Sequence, residues 1–147
     1  MEKSQKAQRE TYFERHKYEC CKSMFQNAEH VIKTMRDTNA VLIDEYYDRY
    51  PFEEYAQNYI RYVLAFMRIS ENRAEYQECV SAGELAYMYS ISRCACMMYE
   101  NVAAYIRKVV WIYIKCSLII YHETQLICRN NHFKHNELDK ESWYGRA

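Results

Sequence analysis

Apolar side chains recur along most of this chain at helical spacing. Between residues 5 and 36, Phe13, Cys20, Met24, Ala28, Val31 and Met35 are separated by three, four or seven positions, one stripe of an amphipathic helix. Asp37-Thr38-Asn39 is suited to end that helix and cap a shorter one from Ala40 to about Tyr50. Pro51 fits the first turn of a third helix and opposes continuation of the second. Phe52, Tyr55, Tyr59, Val63 and Phe66 form the next stripe, running to about Ile69. Ser70 then predicts a cap for a short helix through Cys79, and Ser81-Ala82-Gly83-Glu84 has the pattern of a capping box, which predicts a helix over about 82–98. Asn101 predicts the cap of the helix after it.

That helix, within YENVAAYIRKVVWIYIKCSLIIY (99–121), is apolar on nearly every side. A helix without a polar face belongs inside a protein or in a bilayer. Arg107, Lys108 and Lys115 argue against the bilayer, since each costs roughly 2.5–3.5 kcal/mol at depth while each aliphatic returns roughly 0.3–0.6. The nine aliphatics between Val102 and Ile120 do not offset that cost. Residues 102–120 are therefore expected to be the most buried helix, at the centre of the bundle. The pattern breaks near His122-Glu123-Thr124, and a short amphipathic helix through Leu126, Ile127 and Phe133 is expected next. Residues 136–147 are polar except for Leu138, Trp143 and Tyr144. The expectation is one all-α domain over 1–147, a bundle of six to eight helices around a central apolar one.

Composition narrows the function classes. Two glycines and one proline leave little material for hairpins or a phosphate-binding loop. A formal net charge of zero gives no electrostatic case for nucleic acid. The sixteen tyrosines, without interleaved basic residues, read as half-buried core and rim. Seven cysteines, an odd number without framework spacing, predict free thiols in a reducing compartment. The charged start MEKSQKAQRE lacks the apolar stretch of a signal peptide, so a cytoplasmic protein is expected.

Catalytic and metal-binding patterns are equally sparse. No Glu-x-x-His pair, HExxH, nucleophile elbow or Walker sequence occurs. Cys128, His132 and His135 have helical spacing that matches no usual zinc site, and read better as a buried thiol beside two surface imidazoles. Cys94 and Cys96 fall on different faces of a helix, so they make no redox pair. Neither an enzyme nor a cofactor or metal protein is expected. Arg107 invites two readings. It either forms an internal salt bridge to a neighbouring helix, or stands at a groove edge with its planar fork ready for a partner's carboxylate.

The segment Ala104-Tyr105-Ile106-Arg107, followed by Lys108-Val109-Val110-Trp111-Ile112, resembles the Asn-Trp-Gly-Arg motif that leads into the buried fifth helix of the Bcl-2 family of apoptosis regulators, especially its short viral members. The Arg matches, Tyr replaces Trp, and the Asn and Gly are absent. Leu138-Asp-Lys-Glu-Ser-Trp143-Tyr-Gly145 resembles the family's second homology segment. No Leu-x-x-x-Gly-Asp sequence occurs within 52–79, where Leu64-Ala-Phe-Met-Arg68 supplies only hydrophobic spacing, and nothing apolar follows Tyr144 as a membrane anchor would. The resemblance implies a Bcl-2-like fold and an inhibitor of apoptosis that sequesters the amphipathic helix of a pro-apoptotic Bcl-2 protein.

By that resemblance the groove lies between helices at about 52–79 and 82–98, floored by the central one. Tyr59, Val63, Phe66 and Met67 are its candidate walls, Met88 and Tyr105 complete it, and Arg107 is the ion-pair donor. Each apolar residue taken singly fits plain core better. An uncovered groove of this kind also predicts a homodimer. The alternative implied function is a viral bundle of the same fold that blocks innate-immune signalling adaptors through helix faces, without an open groove.

Overall fold

The computed structural model describes the backbone of residues 2–141 and the side chains of residues 16–129. Every element within them is helical. The chain runs through α1 (Glu2–Arg49), a π-helical turn (Glu53–Gln57), α2 (Asn58–Phe66), α3 (Tyr76–Met97) and α4 (Val102–Glu141). Four helices stand where the hydrophobic pattern predicts six to eight, because three expected breaks are bridged or bent through.

The first lies at Asn39, whose φ of −136° and ψ of 37° are not helical and divide α1 at the expected place. Thr38 Oγ1 donates back to Thr34 O at 3.2 Å, which serves a carbonyl at the bend. Asn39 Nδ2 donates to Thr38 Oγ1 at 2.9 Å, and Arg36 reaches Asp44 across the bend at 3.2 Å. Before the bend Cys21 and Ala28 are buried, and after it Ile43 and Tyr46 are. The second break, at Ser81, does not occur. The Ser81–Glu84 capping box is overridden, since helix already starts at Tyr76 and Cys79 and Ala82 are both buried against the core. The third, at His122, is also absent. No Gly or Pro interrupts 102–141, so nothing in the backbone compels α4 to stop.

Two chain reversals are made without glycine. After α2, Arg68 adopts φ 58°, Ile69 N–H donates to Leu64 O at 2.9 Å and Arg68 N–H to Ala65 O at 3.1 Å. These are the two bonds of a Schellman motif, and its usual apolar contact is supplied by buried Ile69 and Leu64. Arg73 then ties the loop, donating to Arg68 O at 3.3 Å and placing Nη2 2.6 Å from Oε1 of buried Glu75. That last approach is a charge contact without hydrogen-bond alignment. Met98 ends α3 with φ 54°. Asn101 caps α4 as the sequence predicts, its Oδ1 accepting from Ala104 N–H at 3.0 Å.

The centre of the bundle differs from expectation. α4 does bury Val102, Ile106, Val109, Val110, Tyr113 and Ile114, but Ala104, Arg107, Lys108, Ile112 and Lys115 form an outward stripe. Ile112, 38% exposed, lies on that solvent face, so residues 102–120 are a core helix with one wet side and not a surrounded one. α3 packs against both α1 and α4 and is the more enclosed. Its buried positions are mainly small: Cys79, Ala82, Gly83, Ala86, Ser90, Ser92, Cys94 and Ala95. Small side chains let its neighbours approach closely, and the aliphatics of α4 and α2 fill the space. Gly83 is the extreme case, because a Cβ there would lie 2.7 Å from Ile60 Cδ1 and Cγ1. The buried hydroxyls are satisfied within the helix, Ser90 Oγ donating to Ala86 O and Ser92 Oγ to Met88 O.

Ahead of α2, the π-helical turn shifts the register of the second predicted stripe. The buried face becomes Ala56, Ile60, Val63 and Leu64, while Tyr62 and Phe66 turn outward. Phe13 and Phe133 and the segment from Leu138 to Gly145 lie outside the residues whose side chains are described.

Candidate functional site

The expected groove does not assemble from its candidate residues. Val63 is wholly buried in the core and cannot line an open surface. Tyr59 on α2 and Met67 just past its end are half-buried, and Phe66 is 63% exposed. Phe66 continues a ladder of rings in which Tyr59 stacks on Tyr62 at 5.8 Å, Tyr62 on Phe66 at 6.3 Å, and Phe66 meets Trp111 of α4 at 5.5 Å. This makes a ridge rather than a trough.

Tyr105 belongs to another cluster. Its ring lies 5.0 Å from that of Tyr99, and Arg93 from α3 stands 6.0 Å from the Tyr89 ring, with its Nε buried and without a hydrogen-bond partner. Arg107 is exposed on the outer stripe of α4 and has no ion pair among the described residues.

A groove does form elsewhere, where α1, α3 and α4 meet. It encloses about 580 Å³. Phe25 of α1, Leu85 and Met88 of α3 and Ile120 of α4 supply its apolar surface, with Ala82 and Ser117 beneath. Glu29, Glu78 and Glu84 stand exposed at its rim. The local reason is periodicity: residues 78, 81, 85 and 88 follow one another by three, four and three along α3, so one face of a single helix presents both floor and rim. Phe25 and Glu29 repeat the arrangement one turn apart on α1. Phe25 is braced from behind by Tyr113, at 5.2 Å between rings, and Tyr113 stacks on Tyr89 at 5.9 Å.

Met88 alone among the candidate residues lines this groove. Arg107 lies ten residues before Ser117 on α4, roughly 15 Å along the axis. Phe25, Leu85 and Ile120 were legible as apolar positions, but the predicted break at Ser81 severed the stripe that carries Glu78 into Leu85.

The four buried thiols are shifted away from activation. Cys21 and Cys116 are buried and in hydrogen-bond contact between α1 and α4. Burial pushes Cys116 up to about 12 and Cys79 and Cys94 up to about 11, and raises Cys21 as well. A nucleophilic cysteine needs the opposite shift. Cys128 is exposed, not the buried thiol expected beside His132 and His135, whose side chains lie outside the described residues. Among the described residues, no cluster of three or more His, Cys, Asp or Glu is placed to hold a metal ion, and no helix is long and apolar enough to cross a membrane.

No protein-family model matches the chain, and no curated protein or solved structure is significantly similar to it.

Proposed function

We propose that this chain is a helix-binding interaction protein without catalytic chemistry of its own, acting in the cytoplasm as a Bcl-2-like inhibitor of apoptosis that holds the amphipathic helix of a pro-apoptotic protein. The observation that carries the binding part is the groove between α1, α3 and α4. Its apolar side chains are only half covered by the rest of the bundle, and it is bordered by polar rather than apolar residues. From Glu78 to Met88 it runs about 15 Å, long enough for anchors at i, i+3 or i+4, and i+7 of a docked helix. The apoptotic part and the Bcl-2-like assignment of the bundle rest on the sequence resemblance.

A second reading has its own observation. The ridge of Tyr62, Phe66, Trp111 and Ile112, beside Arg107 and Lys108, is an exposed aromatic face of the sort that binds a partner without a groove. It suits the alternative of a viral bundle that blocks innate-immune signalling adaptors, and it also offers a surface for a homodimer.

Titration with a panel of pro-apoptotic helix peptides separates these readings. Groove binding predicts that Met88→Asp abolishes capture while Phe66→Asp and Arg107→Ala leave it within about twofold, and all three variants keep their fold because the residues are exposed. Capture lost in Phe66→Asp and retained in Met88→Asp transfers the function to the ridge. Failure of every peptide at high micromolar concentration refutes the apoptotic reading.

A further inference from the structure

The rim of the groove identifies the chemistry of its occupant. Of the side chains that line it, Glu29, Glu78 and Glu84 are the charged ones, all three carboxylates and none in an ion pair among the described residues. Among the described residues, no Lys or Arg lines the groove to neutralise them. Glu29 stands on α1 and Glu78 and Glu84 on α3, so two of the three helices that form the groove bring carboxylates to it. In a chain of zero net charge this is a local segregation, not a consequence of an acidic protein. A helix seated on Phe25, Leu85, Met88 and Ile120 would bring its own flanking positions against these carboxylates. Like charges opposed across a docked surface are strongly disfavoured, and opposite ones set partner choice and register.

We propose that the groove selects a cationic amphipathic helix on another protein, with a row of apolar anchors flanked by Lys or Arg. This builds on the helix-in-groove reading and adds what that reading leaves open, the charge of the partner. It also gives Arg107 no part in recognition at this site, since the ion-pair donors come from the ligand and the acceptors from the bundle.

The test uses the full chain and two labelled 20-residue helical peptides with identical leucines at i, i+3, i+7 and i+10, one carrying lysines and the other glutamates at the flanking positions. Binding is read by fluorescence anisotropy. A solvent-exposed ion pair contributes about two- to fivefold in affinity, so three rim carboxylates should favour the lysine peptide by on the order of tenfold or more. That preference should shrink as salt rises from 50 to 500 mM. The double variant Glu29→Lys/Glu84→Lys changes only exposed helix positions, and its fold is checked by circular dichroism. It should reverse the preference toward the glutamate peptide.

Equal binding of both peptides, lost in Met88→Asp, overturns the charge selection and leaves the groove standing. A preference for the lysine peptide that persists unchanged in Glu29→Lys/Glu84→Lys also overturns it, because the charge would then be read elsewhere. Binding of neither peptide removes the groove reading and this inference together. Sedimentation of the free protein as a dimer, with peptide affinity falling as protein concentration rises, assigns the groove to a second copy and overturns the proposal.

Discussion

Replacing Gly83 by alanine sets two effects of similar size against each other, and the structure says which wins. In the middle of a helix, alanine is favoured over glycine by about 1 kcal/mol. At this position, however, the new methyl would lie 2.7 Å from both Cδ1 and Cγ1 of Ile60. Ile60 is itself 3% exposed and held between α2 and α3, so it has little room to yield. Overfilling a packed core costs roughly 1–3 kcal/mol. Gly83→Ala alone should therefore change stability by between nothing and about 2 kcal/mol of loss.

The informative measurement is the cycle with Ile60→Ala. That variant alone should lose roughly 2–5 kcal/mol through the cavity it leaves. In its background the clash is gone, and Gly83→Ala should become stabilising by about 1 kcal/mol through helix propensity. Urea unfolding of the four proteins, followed by circular dichroism, gives the coupling, expected at about 1–3 kcal/mol. An effect of Gly83→Ala that agrees within about 0.5 kcal/mol in both backgrounds would mean that α2 does not bear on α3 at this point, and the packing described would be wrong.

Three further outcomes follow from the loops and the thiols. Arg73→Ala should destabilise by roughly 1–3 kcal/mol, because it leaves the buried carboxylate of Glu75 without its half-exposed partner, and the added change Glu75→Gln should recover part of that loss in the same unfolding assay. Arg68→Gly should raise stability by about 1 kcal/mol by removing the side-chain penalty at φ 58°, and a lower urea midpoint for this variant would contradict the Schellman geometry. Burial raises the thiols of Cys79, Cys94 and Cys116 to about 11, 11 and 12, so the folded state favours their protonated form. Their contribution should be complete below pH 9 and lost as pH climbs from 9 through 11–12, seen as a falling melting temperature that Cys116→Ser or Cys94→Ala makes less steep.

The helical character of the chain was legible because it is written in spacing, and spacing survives folding. The bend at Asn39 and the cap at Asn101 were equally legible, since each is decided within a few residues by a side chain competing for backbone hydrogen bonds. The merging of the helices predicted through Cys79 and over 82–98 into the single α3 was not. Ser81-x-x-Glu84 is a valid local start signal, but the burial of Cys79 and Ala82 on one face of α3 outweighs a cap worth about 1 kcal/mol. The same holds at His122, where polarity suggested a stop and the backbone had no reason to make one. The described helices are fewer and longer than the pattern predicts because tertiary contact, not local preference, decides whether a weak boundary is used.

The misplaced centre has a related cause, and it explains the misplaced groove. Hydrophobicity alone singled out residues 102–120, because their buried positions carry large aliphatics. Helix α3 buries a longer face with Cys79, Ala82, Gly83, Ala86 and Ser90, side chains that contribute little to any hydrophobic average. A stripe of small residues marks a helix that others approach closely, and such a helix sits in the middle whatever its mean hydropathy. Once α3 is placed there, its remaining face must emerge between α1 and α4. The residues on that face, Glu78, Ser81, Leu85 and Met88, mix acid with apolar surface. The more apolar α4 instead turns Arg107 to solvent and Trp111 to the aromatic ridge. The small side chains place α3 at the centre, and the groove follows from its unburied edge.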